Sequence, residues 1–244
     1  MREFGLIGFP LGHSFSEKFF TEKFRRENIH DARYQLYPIA EVGQFRDLIK
    51  INPEIIGLNV TIPHKQSIIP FLDDVEDDAG SVGAVNCIHI RNGKWVGFNT
   101  DTYGFRMSIK PFLENKFERA LILGDGGGAK AVMHVLKNWN IPYHVVSRKN
   151  SGGNYFTWQE LSPELIKHFR LIVNTTPMGM APEVDGKPPI PFEGISGEHF
   201  LYDLIYNPEE TVFLREGRLR GALTMNGLKM LEWQALRSWE IWNT

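Results

Sequence analysis

The chain has 244 residues, of which 42% are hydrophobic and 23% charged, with 27 Lys and Arg against 29 Asp and Glu. That is the composition of an ordinary globular protein with enough apolar material for cores of its own, one large domain or two modest ones. A net charge of -2 provides no strong field for nucleic acid or an anionic membrane, so neither is expected as a partner. Cys87 is the only cysteine and cannot form an internal disulfide, which points to a reducing, cytoplasmic setting. No His and Asn or Asp arrangement is tied to it, so it reads as a packed residue and not a catalytic thiol. The opening Met1 to Gly8 has too short an apolar run for a signal peptide, and no stretch approaches the ~18 apolar residues of a membrane helix.

In chain order, short apolar runs alternate with amphipathic stretches, the pattern of an α/β protein with parallel sheets. Residues 4–9 read as a first strand and residues 14–28 as a helix with Phe15, Phe19, Phe20 and Phe24 on one face. Residues 34–39 and 55–60 read as strands, and 63–71 as a short helix. Residues 85–90 and 95–98 flank Asn92-Gly93, a strong two-residue hairpin signal. A boundary is expected just after Asp101, giving domains 1–101 and 102–224 followed by a terminal segment 225–244. Residues 102–117 read as a connecting helix that Pro111 kinks or splits. Strands follow at 120–123, 143–147, 171–174 and 200–204. A last amphipathic helix is expected over 225–242, with Leu228, Leu231, Ala235 and Leu236 on or near one stripe.

The run from Leu121 to Ala129 is strand, glycine-rich turn, then helix. Gly124, Gly126 and Ala129 fit G-x-G-x-x-[G/A], with Gly127 and Gly128 between them. The first glycine permits the tight turn, the second lets the backbone approach a pyrophosphate, and a small third residue lets helix and strand pack closely. The helix start then offers free N–H groups to the phosphates. The next strand ends in Ser147-Arg148-Lys149, with no acid for a ribose 2′-hydroxyl. Arg148 can grip a 2′-phosphate with its guanidinium, Lys149 adds charge and Ser147 can donate a hydrogen bond, so NADP is expected over NAD.

The first hundred residues carry the groups that could act on a substrate. Ser14 and Ser16 stand where a strand gives way to a helix, a cradle for a carboxylate or else an ordinary helix cap. Asn59 and Thr61 alternate at a strand end and so point the same way. Pro63 suits a first helical position, which would put Lys65 beside the positive end of a helix dipole. That place is unfavourable for a cation and suits proton exchange. Asp101, at the expected domain junction, could pair with Lys65 or cap the helix after it. Reducing a ketone needs a hydride on carbon and a proton on oxygen. A nicotinamide would supply the first, and Lys65 oriented by Asp101 the second. The eight histidines show no metal-ligand spacing, so no metal is expected.

Taken together, these motifs resemble the shikimate dehydrogenase family along nearly the whole chain. The resemblance rests on Gly8-Phe9-Pro10-Leu11-Gly12-His13-Ser14-Phe15-Ser16, on Asn59 through Lys65, on Gly83 through Asn86 and on Asn99 through Gly104. It continues in Asn174 through Met180, in Tyr206-Asn207-Pro208 with Thr211, and in Gly227 through Leu231 with Gln234. It implies an N-terminal substrate-binding domain and a Rossmann-like NADP-binding domain, with the C-terminal helix returning to the first domain so that Gln234 reaches the substrate. It implies NADP-dependent interconversion of 3-dehydroshikimate and shikimate in aromatic amino-acid biosynthesis, with Lys65 and Asp101 as the catalytic pair. Ser14 and Ser16 would hold the substrate carboxylate, and Asn59, Thr61, Asn86, Asp101 and Gln234 its hydroxyls. Asn174, Thr175 and Met178 would line the cofactor site, Gly227 would lie near the nicotinamide, and Tyr206 in the cleft. The only partner expected is the small-molecule substrate, on a monomer or homodimer.

The chain departs from the family pattern in three places. Glu17 stands where Pro is usual, and the His-Asn that normally follows is missing. Ser147-Arg148-Lys149 replaces Asn-Arg-Thr. Asp125 replaces a small apolar residue in the glycine turn, where an acid beside a pyrophosphate is unfavourable unless its side chain points away. The rival readings are an NAD-dependent quinate/shikimate dehydrogenase, a non-catalytic sensor that binds NADP or shikimate, and a methylenetetrahydrofolate dehydrogenase of similar two-domain form. The missing acid after Val146, the retained Lys65 and Asp101, and the Ser14/Ser16 cradle argue against them in turn.

Overall fold

The structure, a computed structural model, describes residues 1–244 except 13, 116 and 149–151, together with the side chains of all described residues but 113–115. The chain forms two compact units, Met1–Gly104 with Glu232–Thr244, and Phe105–Leu231. Among the described residues no helix is long and apolar enough to cross a membrane.

The first unit contains β1 (Arg2–Gly8), α1 (Phe15–Arg26), β2 (Ala32–Pro38), α2 (Gln44–Ile51), β3 (Ile55–Val60), β4 (Asp74–Val75), α3 (Asp77–Val82), β5 (Cys87–Arg91), β6 (Lys94–Phe98) and the start of α4 (Thr100–Ile109). Its sheet runs β2-β1-β3-β5-β6-β4. β1 pairs in parallel with both β2 and β3. With neighbours on both sides and layers on both faces, its residues from Glu3 to Gly8 are buried. β5 runs antiparallel to both β3 and β6, and Asn92 (φ 50°) and Gly93 (φ 74°) join it to β6 by a two-residue turn with both central residues left-handed; β4 pairs in parallel with β6. α1 lays Phe20 and Phe24 against Phe4 and Tyr34, the apolar face that the phenylalanine spacing anticipates.

The expected helix over 63–71 does not form. The segment is a series of turns ending in a single 3-10 turn, Ile69–Phe71. The Lys65 carbonyl accepts from the Val85 N–H at 2.7 Å instead of closing a helical bond. Pro70 has no N–H to continue one. Lys65 therefore stands in no helix of its own, and the expected 63–71 dipole drops out of the case for its chemistry.

The second unit contains β7 (Ala120–Leu123), α5 (Gly127–Asn138), β8 (Tyr143–Val146), β9 (Tyr155–Phe156), α6 (Pro163–Ile166), β10 (Leu171–Asn174), β11 (Phe200–Asp203), α7 (Val212–Leu219), β12 (Leu223–Met225) and the start of α8 (Leu228–Trp242). Every strand is parallel to its neighbours in the order β9-β8-β7-β10-β11-β12. This is the doubly wound arrangement, whose chain order reverses between β7 and β10. Alternate strand residues feed opposite cores. Ile122, Val173 and Tyr202 pack on one face, while Leu121, Leu123, Ile172 and Leu201 pack on the other.

Pro111 ends α4 as expected, and Lys110–Asn115 continues as a 3-10 helix. The last helix starts later than the periodicity suggests. Met225 is a strand residue paired with Tyr202, and the Asn226 side chain accepts the Leu228 N–H at 3.1 Å to open α8. The buried stripe shifts accordingly. Leu228 is exposed, whereas Ala235, Ile241 and Trp242 pack into the core of the first unit, with Trp242 Nε1 donating to the Ile88 carbonyl at 3.0 Å.

Candidate active site

In the first unit, Lys65 Nζ donates to Asp101 Oδ2 at 2.7 Å, with side chains 22% and 10% exposed. The two residues are 36 positions apart, and the fold joins them through the end of β3 and the first turn of α4. Asp101 does not cap α4. Asn99 does, accepting the Thr102 N–H at 3.1 Å, which leaves the carboxylate of Asp101 for Lys65. Its place in the first helical turn also favours its negative charge.

Asn86 fixes the other carboxylate oxygen, donating from Nδ2 to Asp101 Oδ1 at 2.9 Å while its own carbonyl accepts the Thr100 N–H at 2.6 Å. The web extends from there. Thr100 Oγ1 lies 3.3 Å from Ser238 Oγ, and Asn59 Nδ2 donates to that same serine at 2.9 Å. Tyr34 Oη donates to Asn59 Oδ1 at 2.9 Å. Burial pushes the Tyr34 phenol well above its ordinary range, so it remains a neutral donor. Gln234, buried on α8, brings Oε1 to 3.5 Å from Asn86 Nδ2 and 3.4 Å from Thr100 Oγ1.

The fold thus brings Asn59, Lys65, Asn86, Asp101 and Gln234 into one hydrogen-bonded group, and Ser16 is buried on α1. The N–H groups of Asn59 go to Asn86 O and Ser238, so its amide is committed within the protein. Ser14 occupies the N-cap position of α1 yet makes no side-chain cap bond. The Thr61 N–H donates to the Ile7 carbonyl at 2.9 Å, one residue past β3. Cys87 is fully buried, and burial pushes its thiol up to about 12, which leaves no thiolate for chemistry near neutral pH.

In the second unit, the glycine turn joins the end of β7 to α5 at the point where strand order reverses. Gly124 has φ 102°, and a Cβ there would stand 2.9 Å from Thr175 Oγ1. Gly126 caps α5 and faces open space, with nothing within 4 Å of where a Cβ would lie. Gly127 and Gly128 open the helix, and Ala129 is fully buried beneath it. A tight turn, an unobstructed backbone and a free helix start fit a pyrophosphate. Thr175 bonds back to the Leu123 carbonyl through both N (2.9 Å) and Oγ1 (2.8 Å), and Asn174 Oδ1 accepts from Thr176 N and Oγ1. Met178 and Tyr206 are half-buried, and burial raises the Tyr206 phenol. Gly227 must be glycine, because a Cβ would collide with the Leu204 carbonyl. Arg148 is exposed; Lys149 lies outside the described residues. Among the described residues no group of three or more His, Cys, Asp or Glu could hold a metal ion.

A sequence model of the shikimate dehydrogenase substrate binding domain matches residues 6–88. A protein of Desulforamulus reducens named shikimate dehydrogenase (NADP(+)) is 35% identical over 261 residues, covering 98% of this chain and 88% of its own. A protein of the same name from Methanococcus maripaludis is 38% identical, covering 98% and 90%. The chain belongs to the shikimate dehydrogenase family. Among solved structures, the shikimate 5-dehydrogenase of Thermus thermophilus in complex with NADP(H) and shikimate is similar with a TM-score of 0.88 at 28% identity, covering 99% of this chain and 93% of that one.

Sequence reasoning gave no role to three members of this web, Tyr34, Ser238 and Thr100, the last quoted only within Asn99 through Gly104. Tyr34 read only as a strand residue, although a tyrosine on a half-buried strand needs a partner for its hydroxyl. It also missed Asp203, a fully buried carboxylate at the end of β11. Asp203 accepts from Asn174 Nδ2 at 3.0 Å, from the Ile205 N–H at 3.0 Å and from Thr211 Oγ1 at 2.6 Å. Burial pushes its carboxyl up to about 6 against those three donors.

Proposed function

We propose that this protein catalyses the reversible, NADP-dependent reduction of 3-dehydroshikimate to shikimate, the step that serves aromatic amino-acid biosynthesis. The observation that carries the reading is the Lys65–Asp101 pair at 2.7 Å, held by Asn86 on the other carboxylate oxygen. A binding protein has no need of an ammonium gripped by an oriented carboxylate, whereas a ketone reductase does.

The nicotinamide, when bound, supplies the hydride to the carbonyl carbon or takes it from the alcohol. Lys65 gives a proton to the carbonyl oxygen and is left as a neutral amine. In the reverse direction it takes the hydroxyl proton. Asp101 points the ammonium and stabilises its charge. Asn86 keeps Asp101 from turning, and Thr100 keeps Asn86 in place through its N–H and Oγ1. Ser14 and Ser16 would receive the carboxylate of the substrate, and Thr61, Asn86, Asp101 and Gln234 its hydroxyls. Asn59 acts one step further out, as the joint between Tyr34, Ser238 and Asn86. In the second unit, residues 124–129 would hold the pyrophosphate on the start of α5, and Arg148 the 2′-phosphate. Asn174, Thr175, Met178 and Gly227 would line the remainder of the dinucleotide site, and Tyr206 would face the substrate.

Absorbance at the reduced-nicotinamide band, followed with shikimate or quinate and with NADP or NAD, tests the reading in four curves. Shikimate with NADP is expected to give the fastest change. No change with shikimate and either cofactor would remove the proposal.

A further inference from the structure

In doubly wound dinucleotide sites, the group that reads the adenosine ribose stands at the end of the second strand of the sheet. A carboxylate there accepts from a 2′-hydroxyl, and a cation there receives a 2′-phosphate. Here that strand is β8, followed by Ser147 and Arg148 with no acid in sequence. The fold supplies one from elsewhere. Asp125, in the glycine turn after β7, accepts from Ser147 Oγ at 2.7 Å. The turn is tied to the end of β8 a second time, by the Gly124 N–H donating to the Val146 carbonyl at 2.9 Å. A carboxylate therefore stands at the ribose-reading position, 22 residues from where the sequence pattern looks for it.

We propose that Asp125 is a specificity-determining residue for the adenosine ribose, held by Ser147, and that the chain accepts NAD alongside NADP. The inference deepens the proposed dinucleotide site and rests on that reading. Ser147 is 1% exposed and its hydroxyl hydrogen goes to Asp125, so in this arrangement it has no hydrogen to give a phosphate. It is a positioning residue. Asp125 is half-buried. A ribose hydroxyl can donate to that carboxylate. A 2′-phosphate meets it as a like charge, offset in part by Arg148, which is exposed, and by the charge of the next residue in sequence, Lys149. The subsite is thus of mixed sign. It lowers the preference for the phosphorylated cofactor without abolishing it.

The test is calorimetric titration of the full chain, without turnover, using adenosine 2′,5′-bisphosphate and adenosine 5′-monophosphate. For the unsubstituted chain the two affinities should lie within about tenfold of each other. Asp125→Ala should tighten the bisphosphate about tenfold and weaken the monophosphate severalfold, moving the two ligands in opposite directions. Arg148→Ala should weaken the bisphosphate alone. If Asp125→Ala leaves both affinities unchanged, or shifts both by one common factor as general damage to the turn would, the proposal is overturned while the dinucleotide site stands. If neither nucleotide binds the unsubstituted chain, the dinucleotide reading falls and this inference falls with it.

Discussion

The two candidate sites are made of different material. In the first unit the site is side chain on side chain, from Tyr34 through Asn59, Ser238, Thr100 and Asn86 to Asp101 and Lys65. In the second it is mostly backbone, a contiguous glycine turn and a helix start, with side chains kept away by the absence of Cβ atoms. A side-chain web exists only once six strands and the last helix have come together, and one deletion leaves a buried neighbour unpaired. A backbone cradle exists as soon as strand, turn and helix form locally. It tolerates change except where an added atom collides. The difference suits the tasks. Distinguishing one small polyhydroxy acid from another needs directed donors and acceptors, whereas a pyrophosphate needs N–H groups and room.

The largest expected effect lies in the first unit. Lys65→Ala should lower kcat by about 10³-fold while changing the KM for shikimate only severalfold, because the proton transfer and not the web is lost. Steady-state kinetics decides it. Near-normal turnover would break the comparison at its root, since the web would then be framing no chemistry.

The second unit also holds a fully buried carboxylate, Asp203, and pH exposes it. Its unfolded carboxyl has the ordinary value of 3.8 and its folded one is pushed up to about 6 by burial. Between those values the folded state binds more protons than the unfolded, so stability falls as pH rises. Above about pH 6 the contribution is at its full unfavourable size, up to about 3 kcal/mol; below pH 3.8 it is absent. Asp203→Asn removes the titration and keeps an amide that can donate to Thr211. Denaturant unfolding from pH 4 to 7 should therefore show the variant gaining on the parent chain by about 2–3 kcal/mol. A constant difference across that range would mean that Asp203 does not titrate there.

Gly124→Ala tests the backbone cradle itself. At φ 102° an alanine is strained, and its Cβ would stand 2.9 Å from Thr175 Oγ1, so a loss of about 2 kcal/mol is expected. Dinucleotide affinity should fall, while shikimate binding, measured without cofactor, stays within twofold. Equal losses in both would mean that the two sites are not independent in the way their construction suggests.

What could be read from sequence follows the same division. The strand–glycine–helix unit was legible because its three parts are contiguous, and each glycine answers to one steric need. Lys65 and Asp101 were legible as a pair only through motif order, since nothing local says that residues 36 apart will meet. The argument offered for Lys65, a helix dipole, failed because the Lys65 carbonyl is taken by Val85, a contact outside the window of any local pattern. Ser147 was expected to donate to a phosphate; its hydrogen instead goes to Asp125, a residue on another strand's turn. No role could be given to Tyr34, Thr100 or Ser238 from sequence, because hydroxyl partners in this web lie up to 179 positions apart.

Tyr34 offers the smallest and most discriminating test of the web. Tyr34→Phe keeps the ring that stacks 4.7 Å from Phe20 and removes only the hydroxyl. Asn59 Oδ1, on a residue 4% exposed, then loses its donor, at a cost of about 1 kcal/mol for leaving a buried acceptor unpaired. Asn59 then holds its side of the web less firmly, while Asp101 and Lys65 keep every contact they have. The expected signature is a severalfold rise in the KM for shikimate with kcat within about twofold. A fall in kcat at unchanged KM would mean that the hydroxyl acts on the proton-transfer pair through Asn59 and Asn86, and the web would have to be redrawn as a single catalytic device instead of a substrate cradle attached to one.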